Sequence, residues 1–310
     1  MKKLIVNADD LGLSPTVNCA ILRGALRSVI TAASLMVNMP FAKEAAAQIK
    51  DTCPDLSVAL HFCLTSGQAV LPPQAIPALV DAKGYFKLGF LGLWHGLTSR
   101  KTGEKILAQA TAEFYAQRER MEGLATQYAL RFDHLDSHQH VHVLPGLLEL
   151  LTCEADERCL TLRIPREPFG DYQRVLRRFM SWFPGGLARK VILDHHLRRV
   201  KQNVGYFGIL DTGQVGSAAF REIVRIIRND RSGREIFELN IHPALCANES
   251  SKESGWIIDE APLRSNVDDV FQHSPWRKRE YELINSSEFS TLLDKNGIAL
   301  ATFGNVRKTL

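Results

Sequence analysis

No two cysteines form a C-x-x-C pair: Cys19, Cys53, Cys63, Cys153, Cys159 and Cys246 stand singly, six in all. That spacing argues against a thiolate zinc site or a dithiol redox couple, and it suits buried free thiols in a reducing compartment. No G-x-S-x-G is present and no cysteine sits in an evident triad, so a Ser or Cys nucleophile is not expected. The first apolar run is followed by neither G-x-G-x-x-G nor G-x-x-x-x-G-K-[ST], the loops that cradle nucleotide phosphates. No stretch approaches the ~20 uncharged apolar residues of a membrane span. Acidic residues follow Leu4-Ile5-Val6 too soon for a signal-peptide apolar region, so a cytoplasmic protein is expected. The formal charge of +4 is mild and no recognition motif accompanies it, so no nucleic-acid partner is expected. There is no repeat of 20–50 residues and no low-complexity linker.

What the chain does contain is apolar material for a large core, 45% of 310 residues, with an ordinary 23% charged. Short runs rich in Val, Ile, Leu and Phe predict strands over residues 4–7, 32–37, 56–64, 132–137, 161–165, 204–209, 236–242 and 298–303. Helical periodicity predicts helices over 15–29, 103–128, 144–157, 217–229 and 287–296. The first carries Ser14 as N-cap and Pro15 at its first position. Eight strands alternating with helices imply a parallel sheet, and the count favours an α/β distorted (β/α) barrel over an open doubly wound sheet. A single domain spanning 1–310 is expected, with loop insertions at 66–99 and 248–279. Trp256 and Trp276 in the second could form a lid, a sugar-stacking platform or a subunit contact.

Several predicted strands end in groups that ligate metals or move protons. The first ends in Asn7-Ala8-Asp9-Asp10, which alone reads equally as a solvated turn with Asp10 capping the next helix. The third holds His61 inside Ala59-Leu60-His61-Phe62, where an imidazole must find a partner or a ligand. The fourth runs into Asp133-His134-Leu135-Asp136-Ser137-His138-Gln139-His140-Val141-His142. Strand alternation would put His134, Asp136, His138, His140 and His142 on one face, if the strand continues that far. They cannot all hold one ion, and spacing alone does not choose among them. The seventh ends in Ile241-His242-Pro243. In α/β barrels this C-terminal rim is where reacting groups gather. One carboxylate and two imidazoles leave open positions on a metal, as catalysis requires. Asp9, beside the ligand carboxylate, could take a proton from water, and His242 could protonate a leaving group or steady an oxyanion. That inventory suits hydrolysis of an amide or ester.

Three separated segments, Val6-Asn7-Ala8-Asp9-Asp10-Leu11-Gly12-Leu13-Ser14, Leu60-His61-Phe62-Cys63-Leu64-Thr65 and His134-Leu135-Asp136-Ser137-His138-Gln139-His140-Val141-His142, resemble the YdjC-like carbohydrate deacetylases in order and spacing. The resemblance extends over most of the chain. It implies a distorted α/β barrel, removal of acetate from N-acetylated amino sugars such as chitooligosaccharides, and one divalent ion. It implies Asp10, His61 and His138 as ligands, Asp9 as base and His242 as acid or oxyanion partner. Mg²⁺ and Zn²⁺ are the leading ions, with Co²⁺ and Ni²⁺ open to a mixed N/O site. Residues 69–73, 79–84 and 163–168 are similar to a hopanoid-biosynthesis branch, which implies a lipid-linked amino sugar. Asp136-Ser137-His138 is closer to the chitooligosaccharide branch, and Ala59 stands where the family commonly has Gly. The basic segment 172–201 reads either as a solvated helical face or as a peripheral contact with anionic membrane. A homodimer is left open. The rival classes are another metal-dependent hydrolase such as a phosphoesterase, and a non-catalytic sugar- or lipid-binding protein.

Overall fold

Runs of β-branched and aliphatic residues with apolar side chains on both faces belong in a sheet covered on both sides, and that is where this chain puts them. A computed structural model of the protein describes residues 1–166, 204–208, 215–245 and 275–307. The strands are β1 (Lys3–Leu11), β2 (Ala32–Leu35), β3 (Ser57–Phe62), β4 (Arg131–Ser137), β5 (Thr161–Leu162), β6 (Val204–Phe207), β7 (Ile236–Ile241) and β8 (Ala299–Leu300). They form one parallel sheet in the order β5-β4-β3-β2-β1-β7-β6, with β8 beside the start of β1. Among the described residues β5 and β6 do not pair, so the curved sheet is a half-barrel, the distorted form of the expected barrel. Every residue of β2, β3 and β7 is buried.

Around the sheet lie α1 (Pro15–Leu26), α2 (Ala42–Thr52), α3 (Phe90–Thr98), α4 (Gly103–Tyr128), α5 (Leu147–Glu157), α6 (Ser217–Asn229), α7 (Pro275–Ile284), α8 (Ser287–Lys295) and α9 (Phe303–Arg307). Ser14 caps α1 by accepting the Val17 N–H, with Pro15 at its start, as the sequence signals require. Three differences from the sequence reading stand out. The Ala-rich α2, a run of strong helix formers, was not anticipated. Residues 66–99 are not bare loop: they hold α3 and two antiparallel bridges, Gln68 with Tyr85 and Val80 with Phe86. The last strand is two residues long, and Phe303 begins a helix instead of ending a strand. Segment 172–201 and residues 248–274 lie outside the described residues, Trp256 and Cys246 with them. No helix among the described residues is long and apolar enough to cross a membrane.

Two fold details prepare the site. Gln117 of α4, fully buried, donates to the Cys63 carbonyl at 2.7 Å and accepts the Cys63 N–H at 3.0 Å, which pins the chain just past β3. Gly12, at φ +93°, lets the chain turn out of β1 directly against Ala42, where a Cβ would come within 3.0 Å of the Ala42 Cα.

Candidate metal and proton-transfer centre

Neighbouring residues of a regular strand point to opposite faces, so Asp9 and Asp10 should not share a site. They do because β1 stops being regular there. Its register with β2 shifts between Ala8 and Leu11, and Asp10 takes the left-handed conformation at φ 70°. Such a bulge re-aims a side chain, at a backbone cost of order 1–3 kcal/mol for a non-glycine residue. A left-handed pair, Gln139 (φ 53°) and His140 (φ 54°), follows the end of β4 at Ser137 and puts a kink inside the short three-ten stretch 138–143. The expectation that alternation carries all five residues from His134 to His142 along one face is therefore corrected: strand geometry ends before His138.

The five separate accordingly. His138 turns its Nδ1 to the Asp10 Oδ1 at 2.9 Å. Asp136 lies in register with His61 across β3 and β4, and its Oδ1 is 2.7 Å from the His61 Nδ1. His142 donates from Nε2 to the Arg163 carbonyl at 3.0 Å, and its Nδ1 faces the Ser137 hydroxyl, so it ties β4 to the chain after β5. His140 lies 3.4 Å from the Tyr206 hydroxyl. His134 turns its Nε2 to the Asn7 side-chain oxygen at 3.2 Å.

At the rim, His61 Nε2 is 3.5 Å from Asp10 Oδ1, and the His61 and His138 rings meet edge-on at 5.7 Å. Asp10, His61 and His138 each offer one ligand atom, and these atoms all lie within 4.8 Å of one another. A carboxylate with two imidazoles is a donor set for a divalent first-row metal or Mg²⁺. The Asp136 carboxylate behind His61 is the outer partner that orients a ligating imidazole. On this chemistry the residues fit a single ion. Asp9, His61 and Asp136 form a second such grouping, but both of these carboxylates are engaged by Arg163.

Asp9 is buried, and Arg163 grips it through two nitrogens, at 2.8 and 2.9 Å. The same guanidinium reaches Glu238 at 2.7 Å and Asp136 at 2.9 Å, with its plane near the Tyr206 ring. Burial opposes ionisation of Asp9, but Arg163 and then His61 hold it below the usual carboxylate range. Burial likewise opposes ionisation of Asp10, and Arg277 with His138 keeps it well below that range. Arg277, from α7, donates to Asp10 Oδ2. His61 would be lowered by burial, yet Asp136 and Asp9 raise it to about 10. His242 lies with its Nε2 3.9 Å from Asp9 Oδ2. Burial pushes it down to about 4, so its imidazole is neutral near pH 7 and takes up a proton only when one is delivered. Its backbone N–H donates to Glu280 of α7 at 2.6 Å.

All five residues singled out in the sequence, Asp9, Asp10, His61, His138 and His242, thus come to one end of the sheet. Four charges hold them, Arg163, Arg277, Glu238 and Glu280, with relative exposures of 0–2%; the sequence marks Arg163 only within the segment 163–168 and gives it no role, and the other three are missed. A signal existed for one of them, since Glu238 sits between Phe237 and Leu239 where a covered strand should be apolar throughout.

Residues 3–295 match the family model described as YdjC-like protein. The chain is 33% identical to a carbohydrate deacetylase of Brevibacillus brevis over 304 residues, 98% of this chain and 99% of that protein. It is 36% identical to a chitooligosaccharide deacetylase of Yersinia enterocolitica over 188 residues, 60% of this chain and 69% of that protein. A crystal structure from Enterococcus faecalis V583, described as a cellobiose-phosphate cleavage protein, superposes with a TM-score of 0.67 over 98% of both chains at 23% identity, a likeness of fold.

Proposed function

The chain belongs to the YdjC-like family, and from that premise we propose that it hydrolyses the N-acetyl group of an amino sugar, releasing acetate and a free amine. The observation that carries the reading is the convergence of Asp10, His61 and His138 to within 4.8 Å beside a second, clamped carboxylate. The curated relatives named as carbohydrate and chitooligosaccharide deacetylases support the substrate class.

Asp10, His61 and His138 would hold one divalent ion, Mg²⁺ or Zn²⁺ in the first place. Such an ion supplies Lewis acidity, polarising a carbonyl oxygen and making water easier to deprotonate. Asp9 is the base. Its proton-accepting oxygens are kept ionised by Arg163, so it is ready to take a proton as water adds to the acetyl carbon. His242, neutral at rest and 3.9 Å from Asp9 Oδ2, receives the proton that Asp9 took from water and gives it to the departing amine nitrogen as the C–N bond breaks. Water's oxygen ends in acetate, and its two protons leave on the amine and to solvent. The low-dielectric surroundings strengthen each of these contacts.

Acetate release from N-acetylglucosamine oligomers tests the activity directly. Asp9→Asn should keep the metal and lose most turnover, while His138→Ala should lose the metal, read by elemental analysis. Metal and acetate release retained in both variants would overturn the site assignment. The finer reading joins a lipid-linked sugar, which rests on the resemblance, to a membrane contact through residues 172–201, which rests on the basic charge of that segment, and absence of flotation with anionic vesicles at low salt would end it.

A further inference from the structure

Asp9 has a third donor besides the two nitrogens of Arg163. Asn7, two residues earlier and so on the same face of β1, donates from Nδ2 to Asp9 Oδ1 at 2.8 Å. The same Nδ2 donates to the Ser34 hydroxyl oxygen at 2.8 Å. Ser34 in turn gives its proton to Asp136 Oδ2 at 2.6 Å, so it can only accept from Asn7. Both amide hydrogens of Asn7 are therefore committed. Turning the amide over would aim its carbonyl oxygen at a carboxylate oxygen and at a hydroxyl whose proton is spent, so this orientation is fixed by its neighbours.

The Asn7 Oδ1 then needs a donor, and His134 Nε2 lies 3.2 Å from it. His134 belongs to the histidine-rich segment but takes no part in the metal grouping. Its other nitrogen lies 2.8 Å from Asp133 Oδ1, a carboxylate oxygen that accepts, so the two contacts together require a hydrogen on both ring nitrogens. Asp133 Oδ2 receives the Ser57 hydroxyl at 2.6 Å, and the Phe303 ring stacks on the His134 imidazole at 3.8 Å. Asn7 and His134 are wholly buried, and Ser57, Asp133 and Asp9 nearly so. A chain of polar groups through a covered sheet is costly unless every member is satisfied, and here each link constrains the next.

We propose that His134 is a positioning residue for Asp9 and acts through Asn7: its Nε2–H fixes the amide, and the fixed amide, by occupying Oδ1 together with Arg163, holds the Asp9 carboxylate so that Oδ2 is the oxygen left to accept a proton. This rests on the reading of Asp9 as the base. Asp133, Ser57 and Phe303 keep the imidazole in place from the opposite side.

Two substitutions separate positioning from packing. In His134→Gln the side-chain amide reaches the Nε2 position and still offers an N–H to Asn7. In His134→Asn it reaches only the Nδ1 position, keeps the Asp133 contact and loses Asn7. We expect His134→Asn to lower kcat by about 10–100-fold, the range for losing an orienting partner, with KM and bound metal unchanged. His134→Gln should recover most of that loss. Asn7→Ala removes the donor to Asp9 itself and should lose at least as much as His134→Asn, and the double variant should fall no further than Asn7→Ala alone, because His134 acts only through Asn7. Equal kcat in the Asn and Gln variants, additive losses in the double variant, or a loss of metal in place of kcat would overturn the proposal. Should His134→Asn fail to fold, Asn7→Ala carries the test, and wild-type kcat in it would be decisive against. Asp9→Asn run alongside keeps the two readings apart. If Asp9→Asn turns over normally, the base assignment has failed. If it is inactive while His134→Asn matches wild type, this inference alone has failed.

Discussion

Replacing Arg163 by Met removes one guanidinium from among three buried carboxylates, Asp9, Asp136 and Glu238, while keeping a side chain of comparable length. All four groups are at most 3% exposed, so water cannot take over the lost contacts. Breaking a buried ion pair by removing one partner costs about 3–5 kcal/mol, because it leaves a charge uncompensated. For a chain of this size unfolding entropy makes 1 kcal/mol worth roughly 1.5 °C in Tm, so a fall of roughly 5–8 °C is expected. Against a typical total of about 5–15 kcal/mol this is a large fraction. The pH dependence makes the argument specific. In the wild type Arg163 holds Asp9 and Asp136 below their unfolded values, so their contribution is fully present at neutral pH and is lost only as pH falls below the ordinary carboxylate range. Without Arg163, burial dominates and their folded values rise above the unfolded ones. Such groups cost stability as pH rises through that window, and the cost is relieved on acidification. Urea denaturation in EDTA should therefore show a gap between variant and wild type that is widest near pH 7 and narrows toward pH 5. A gap below about 1 kcal/mol at pH 7, or one that stays constant down to pH 5, would refute the idea that these carboxylates depend on Arg163.

Other consequences can be measured independently. Asp136→Asn removes the carboxylate behind His61 and should weaken metal affinity about 10–100-fold by titration calorimetry; unchanged affinity would remove Asp136 from the metal's outer contacts. Glu280 is raised by burial from its ordinary value to about 7, so the folded state holds its proton longer than the unfolded state and stability should fall as pH rises from about 4.5 to about 7. Glu280→Gln should remove that dependence, on the order of 3 kcal/mol over the window for a rise from 4.5 to about 7 at about 1.4 kcal/mol per pH unit, and an unaltered slope would assign the dependence elsewhere. Gln117→Leu strands the Cys63 N–H and carbonyl and should cost about 2–4 kcal/mol with weaker metal binding two residues away at His61; a Tm within 1 °C of wild type, at roughly 1.5 °C per kcal/mol, would contradict that pinning role.

Part of this protein was legible in the residue order. Apolar runs separated by helical periods specified eight parallel strands, because burial on both faces leaves no other use for such runs. Helices α4 and α6 begin and end where periodicity put them. Strand ends carrying Asp9, Asp10, His61 and His242 could be named, since each placed a polar group where a strand must stop. Tertiary structure decided the rest. The direction of Asp10 depends on a bulge set by β1 pairing with β2, and the fate of the five clustered residues depends on a left-handed pair that no alternation rule contains. Arg163, Arg277 and Glu280 join the site from positions 27 to 267 residues away from the groups they touch or face, and Asp136 meets His61 through sheet register. Sequence patterns report what a residue does to its own segment. Which charges meet, and so which are held ionised, is fixed only when strands from distant parts of the chain are brought side by side and water is expelled from between them.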